Sequence, residues 1–296
     1  MATSGVARGR AAGDGTEGKG LPMGGEKVVA KPQLDAVLAE WSLPEGDGLL
    51  DRVEQMIRPA LLAGCFGKST TRFVAGLQYH LGGAQDTQEL ADLAGLSSSD
   101  HVLDVCCFIG GPALQLADSI GCRVTGIDHD RNAIAAAARI AQIAGLAGRL
   151  EFRVADAGKL PFGDGTFTVV WNQCSLESNE QWLKESDRVL TPGGRLAFTF
   201  QMKGRNDDRW TLADLVLLLE GLGYRIEHAD DITQRDIEIG WNALDRKLSE
   251  HENEFCTALG RAWVERAHQE FRQEAKRMAG GEYGNGRVVA TKRGSS

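Results

Sequence analysis

Three things are scarce in this chain, and each scarcity excludes a class of function. No apolar run in the 296 residues nears the roughly 20 that cross a bilayer; stretches such as Leu215–Leu219 are far shorter. Membrane partners are therefore not expected. Positive charge is also short, with 33 Lys and Arg against 41 Asp and Glu and a net charge of −8. Gripping a phosphate backbone needs clustered cations, so a general nucleic-acid partner is not expected either. Cysteine is sparse: Cys65, Cys106, Cys107, Cys122, Cys174 and Cys256 form no paired C-x-x-C pattern and no disulfide framework. No metal site is expected, and a reducing cytoplasm is the implied location.

Two motifs are missing as well. Without a G-x-x-x-x-G-K-[ST] loop, nucleoside triphosphate chemistry is not expected. The first 33 residues lack the apolar centre of a signal peptide and read as a disordered tail, and Asp14 and Glu17 are out of character for a transit peptide.

What is present is a steady alternation. Residues 34–96 read as a helical extension, broken near Pro44–Gly48. From residue 97 onward, short β-branched runs at 102–105, 123–128, 150–156, 167–173, 195–202, 224–230 and 287–293 alternate with helical stretches. One long helical insertion, 231–286, stands before the last strand. Alternation of this kind implies an α/β fold, a doubly wound and mostly parallel sheet that takes ligands at the carboxyl ends of its strands.

Those ends carry chemistry. Asp104 closes the first strand, and Gly110-Gly111 open the next helix, where free N–H groups and the dipole favour a polar ligand. Asp128 closes the second strand 24 residues later, about the spacing at which an acid takes two ribose hydroxyls. Asp156 closes the third, placed to accept from an adenine amine.

Taken with HLGGAQDTQELADLAGL, VLDVCCFIGGPALQLA, GCRVTGIDHD, VADAGKLPFGDGTFTVVWNQCSL and RVLTPGGRLAFTF, residues 80–202 resemble the class I S-adenosylmethionine-dependent methyltransferases. The chain is most similar to the glycine/sarcosine/dimethylglycine N-methyltransferase-like group of small-molecule enzymes. The resemblance implies a seven-stranded Rossmann-like sheet of order 3-2-1-4-5-7-6 with the last strand antiparallel. It implies S-adenosyl-L-methionine as cofactor, and cofactor contacts at Asp104, Asp128 and His129, at Asp156 and Ala157, and at Asn172. It also implies a small soluble acceptor, an amine being favoured, and leaves the oligomeric state open.

The family's loop reads acid-x-Gly-x-Gly-x-Gly, and here the three glycine positions hold Cys106, Phe108 and Gly110. Phe108 either turns aside or lines the methionine end, leaving the cofactor its place, or it fills the site. Gln173, His80 and Glu177 are the candidate catalytic groups, and Trp241, His251, Trp263 and Tyr283 are candidate aromatic and polar walls in the cover. Cys106, Cys107 and Cys174 offer an alternative: thiol-assisted lyase or dehalogenase chemistry on the same scaffold. A non-catalytic binding protein is the third reading.

Overall fold

The computed structural model describes residues 34–173, 180–204 and 209–294, all within one compact unit spanning Pro32–Ser296. Four helices come first: α1 (Leu34–Ala39), α2 (Leu49–Leu62), α3 (Thr70–Ala75) and α4 (Gly83–Leu93). The alternating body follows with β1 (His101–Val105), α5 (Gly111–Ser119), β2 (Arg123–Asp128), α6 (Arg131–Ile143), β3 (Leu150–Val154), β4 (Phe167–Gln173) and α7 (Glu180–Val189). It continues with β5 (Leu190–Met202), α8 (Leu212–Gly221) and β6 (Tyr224–Asp231). The cover comprises α9 (Thr233–Asp236), a π-helical turn (Ile237–Trp241), α10 (Asn242–Glu250), α11 (Glu252–Leu259) and α12 (Arg261–Ala279), and β7 (Gly284–Lys292) follows it.

The seven strands form one sheet of order β3-β2-β1-β4-β5-β7-β6. Strands β1 to β5 pair in parallel, and β7 runs antiparallel between β5 and β6. This is the Rossmann-like class I methyltransferase order that the sequence implied. Its switch point lies between β1 and β4, whose carboxyl ends open the crevice where such sheets take ligands.

The apolar stripe of each helix decides which face of the sheet it covers. Val53, Met56, Ile57, Ala60 and Leu61 of α2 recur at helical spacing and pack with α4, α5 and α6 against Val102, Val124 and Val169. Leu183 of α7 and Leu215 and Leu219 of α8 cover the other face over Val170, Leu196 and Val288. Each such fully buried side chain contributes about 1.5–3 kcal/mol relative to exposure.

The elements differ from the sequence reading at several points. β3 stops at Val154, so Asp156, expected to close it, lies exposed two residues beyond, and β7 begins at Gly284 rather than 287. The fifth strand begins at Leu190 rather than 195, and its pairing with β4 jumps from Phe167–Leu190 to Val169–Arg195, so residues 191–194 loop out of register. The helical insertion read over 231–286 is broken at Gly260, whose φ of 89° ends α11, and it contains a π-helical turn. Gly240 in that turn lies so close to Leu81 that a Cβ would approach it to 2.9 Å.

Candidate functional site

The loop after β1 keeps a glycine-like backbone without the glycines. Cys106 has φ 61° and Phe108 has φ 50°, the two positive values at non-glycine residues among the described residues, and Gly110 follows at 80°. For an L side chain this region costs about 1–2 kcal/mol per residue. Fixed hydrogen bonds hold the loop there: Cys107 N donates to Ile127 O at 2.9 Å, Phe108 N to Asp128 Oδ2 at 2.9 Å, and Gly110 N to Cys107 O at 2.8 Å. Asp128 accepts a further bond through Oδ1 from Asp130 N at 2.9 Å, which fixes its carboxylate at the end of β2.

The Phe108 ring turns toward the N-terminal helices. It meets Phe66 edge-on at 6.0 Å and Tyr79 at 5.6 Å between centroids, and the Arg72 guanidinium lies 4.4 Å from both the Tyr79 and Phe108 rings. Cation and rings hold one another where α3 meets the loop.

Three cavities follow in series. The first, about 230 Å³, is lined by Cys106, Ile127, Asp128, His129, Ala155, Asp156 and Ala157, and Phe108 takes no part in it. The second, about 40 Å³, is lined by Leu77, Tyr79, His80, Asp104, Cys106, Cys107, Phe108, Pro112 and Gln173. The third, about 180 Å³, lies between Ala75–Gly83 and the cover, with His80 on one wall and Gly240, Ala243 and Leu244 on another. Cys106 lines the first two cavities, and His80 lines the second and third.

Electrostatics distinguish these walls. Asp104 is buried, and its Oδ2 has no hydrogen-bond partner among the described residues. Burial and the nearby Asp128 carboxylate push its pKa up to about 8, against a backbone hydrogen bond from Ala113 that lowers it. Burial, with Asp128, Asp104 and Asp156 around it, pushes the Cys106 thiol up to about 12. Cys107 is raised by burial and the same two nearer carboxylates. A reactive thiolate needs the opposite surroundings, so neither thiol is an activated nucleophile.

A polar network ties the site to its cover. Gln173, at the end of β4, donates from Nε2 to Asp86 Oδ2 at 2.6 Å and accepts at Oε1 from Thr87 Oγ1 at 3.1 Å and Trp171 Nε1 at 3.2 Å. His80 Nε2 lies 3.0 Å from Gly83 O and 3.2 Å from Thr87 Oγ1. A carbonyl only accepts, so this nitrogen carries the proton and Nδ1 carries the lone pair. Burial lowers the His80 pKa despite Asp86 4.0 Å away, so the ring is neutral near pH 7. Behind Asp86, Arg235 of the cover bridges Asp86 at 2.9 Å, Asp236 at 3.1 Å and Glu89 at 2.7 Å. Asn285 and Arg287 extend the net from β7, to Asp236 and Glu89 respectively.

The other expected residues fall as follows. His129 lines the large cavity with a side chain 91% exposed. Asn172 is buried and donates to Val105 O at 2.6 Å. Glu177 and Cys174 lie outside the described residues. Trp241, Trp263 and Tyr283 pack within the cover, against Phe271, Phe255 and the Glu274 carboxylate respectively, and His251 stands at the α10–α11 junction. Asp86, Thr87, Arg235 and Asp236 were not picked out from the sequence. A signal existed for two of them, because Asp86 and Thr87 share the buried stripe of α4 with Leu90 and Ala91.

Comparison with known proteins fits this geometry. A family model described as a methyltransferase domain matches residues 102–194. Residues 102–194 are thus similar to methyltransferase domains, and the sheet around them has the class I methyltransferase fold. Over 153 residues it is 33% identical to the methyltransferase GfsG of Streptomyces halstedii, covering 50% of this chain and 55% of that one. The chain thus spans about half the length of this curated relative. In fold, a phosphoethanolamine N-methyltransferase 2 of Haemonchus contortus, solved with phosphomonomethylethanolamine and S-adenosylhomocysteine, matches at TM-score 0.69 and 18% identity, covering 84% of this chain and 61% of that one. The [4+2]-cyclase SpnF matches at TM-score 0.60 and 24% identity, covering 86% of this chain and all of that one.

Proposed function

We propose that this chain transfers the methyl group of S-adenosylmethionine to a small-molecule acceptor. The observation that carries the reading is the loop at 106–110, which holds the left-handed backbone of a cofactor-binding glycine loop although two of its glycines are absent. The residues around it fit the group. Asp128 would take the ribose hydroxyls and Asp156 the adenine amine, between apolar walls at Ile127, Ala155 and Ala157. The unpartnered Oδ2 of Asp104 would take the ammonium of the methionine arm. When bound, the cofactor supplies an electrophilic methyl carbon on a sulfonium, whose leaving group is already activated.

The protein's part is alignment and dryness. Leu77, Tyr79 and Phe108 wall the small cavity against water, and Gln173 anchors the end of β4 to α4. His80, neutral and partnered only through Nε2 among the described residues, would receive a proton from an acceptor that must lose one. A nitrogen acceptor is what the family resemblance implies. We read residues 34–96 as the extension that closes the crevice, 97–296 as the catalytic body with 231–286 as its cover, and the cytoplasm as the setting.

Calorimetric titration with S-adenosylhomocysteine tests the reading. The wild type binds, and Asp128→Ala weakens binding at least tenfold, about 1.4 kcal/mol or more. Folded wild-type protein that takes up no ligand overturns the reading.

A further inference from the structure

We infer that the 180 Å³ cavity beside His80 is the acceptor site, and that it takes a neutral, hydroxyl-bearing, mostly apolar molecule about one ring in size, methylated on oxygen with His80 as the proton acceptor. The inference rests on the methyl-transfer reading above and puts a hydroxyl acceptor in place of the nitrogen acceptor that the resemblance implies.

The walls argue for it. Ala75, Ile239, Gly240, Ala243 and Leu244 form an apolar lining. Among the described residues no carboxylate lines this cavity, and the one cation there, Lys247, is paired with Glu54 at 2.5 Å. A cationic amine entering here would shed its water without gaining a counter-charge, and an anion would meet a lysine already neutralised. An uncharged hydroxyl compound avoids both costs. Size points the same way, since an apolar cavity of about 150 Å³ accepts one benzene ring.

Position supplies the chemistry. His80 is the residue shared between this cavity and the one holding Asp104 and the 106–108 loop. With Nε2–H committed to Gly83 and Thr87, Nδ1 is the free lone pair among the described residues. An alcohol or phenol, unlike a free amine, must lose a proton to become a good nucleophile, so a base at this boundary has a purpose. In the balanced step the acceptor oxygen bonds to the methyl carbon as the carbon–sulfur bond breaks. That bond's electron pair returns to sulfur, leaving a thioether, and the hydroxyl proton passes to Nδ1. The groups that set the base are Asp86 4.0 Å from Nε2, Arg235 beyond it, and Asp104, Cys106 and Cys107 across the small cavity. Lys247 faces it from the third cavity.

The test uses the full chain with phenol and benzylamine as probes. Ligand-observed NMR follows binding with and without S-adenosylhomocysteine, and transfer is followed with isotopically labelled S-adenosylmethionine. Phenol is expected to bind at least tenfold more tightly than benzylamine at pH 7 and to be methylated on oxygen. Ala243→Phe should abolish phenol binding while leaving S-adenosylhomocysteine binding unchanged. His80→Asn should keep both ligands, lower kcat at least a hundredfold and remove the acid limb of the pH–rate profile. Tighter or equal binding of benzylamine, phenol binding that survives Ala243→Phe, or an unchanged pH profile in His80→Asn overturns the inference. Wild-type protein that binds phenol, loses it in Ala243→Phe and ignores S-adenosylhomocysteine would keep the cavity assignment while refuting the cofactor reading beneath it.

Discussion

Replacing Phe108 by glycine and by alanine separates backbone strain from side-chain contact, and the two variants should rank in an unusual order. Both lose the ring's contacts with Phe66 and Tyr79, about 0.5–1.5 kcal/mol each, and its share of the Arg72 contact, about 0.5–1 kcal/mol. They also lose the burial of a partly exposed phenyl ring, about 1–2 kcal/mol. Both therefore lose about 4 kcal/mol on these central values, before the backbone is counted. They differ at the backbone, where φ is 50°. Alanine retains the left-handed cost of about 1–2 kcal/mol and glycine does not. Glycine in turn loses about 0.5–1 kcal/mol more chain entropy on folding.

The balance leaves Phe108→Gly above Phe108→Ala by about 0.5–1 kcal/mol. In a regular helix or strand the order is reversed, alanine exceeding glycine by about the same amount. Urea denaturation followed by circular dichroism resolves such a difference as a shift in midpoint at constant slope. Alanine equal to or above glycine at position 108 would refute the claim that this loop holds its left-handed form against the preference of its residues. Both variants should still bind S-adenosylhomocysteine, because the ring lines the 40 Å³ cavity and not the 230 Å³ one.

Other outcomes follow from the buried charges. The Asp104 pKa is raised to about 8, so the folded state holds a proton that the unfolded chain releases near pH 4. Stability should fall as pH rises from about 4 to 8, on the order of 1 kcal/mol per unit from this group. Asp104→Asn should flatten that decline, and an unchanged slope in urea titrations at pH 5 and pH 8 would contradict the assignment. Asp236 is raised to about 7 by burial and by Asp86, against the bonds from Asn285 and Arg235, and adds to the same decline. Arg235→Met leaves two buried carboxylates facing each other without their shared cation. It should cost about 3–5 kcal/mol, with Asp236→Asn in the same chain restoring part, as thermal denaturation will report. A negligible loss would show that the bridge is dispensable.

The sheet and its ligand edge were legible because period and position carry them. The β-branched runs fall at strand spacing, and Asp104 and Asp128 lie buried at the ends of β1 and β2, while Asp156 lies exposed two residues past the end of β3. The loop was only half legible. Residue type at 106 and 108 suggests that a left-handed backbone is absent, yet hydrogen bonds from Phe108 N to Asp128 and from Cys107 N to Ile127 enforce it from a neighbouring strand. Gln173 illustrates a different limit. Its place at a strand end marked it as a candidate for substrate contact, while its amide is bound to Asp86 and Thr87, more than 80 positions earlier in the chain. Such pairing depends on how α4 lies across the sheet. The π-helical turn was invisible for a similar reason, since it exists where Gly240 meets Leu81 of a distant segment.

Because Asp86 and Glu89 clamp α4 to β4, to β7 and to the cover through Arg235, that helix moves only with the body of the molecule. The stretch from Leu77 to Leu81 is flanked by Gly76 and Gly82 at φ 74° and 84°, yet it is fastened along its length: Leu77 is buried, Gln78 donates to Gln115 Oε1 at 2.7 Å, and Leu81 lies against Gly240. Tyr79, under the Arg72 guanidinium, and His80, bonded to Gly83 and Thr87, are therefore set by the body of the molecule. A guest entering beside them meets a preformed wall.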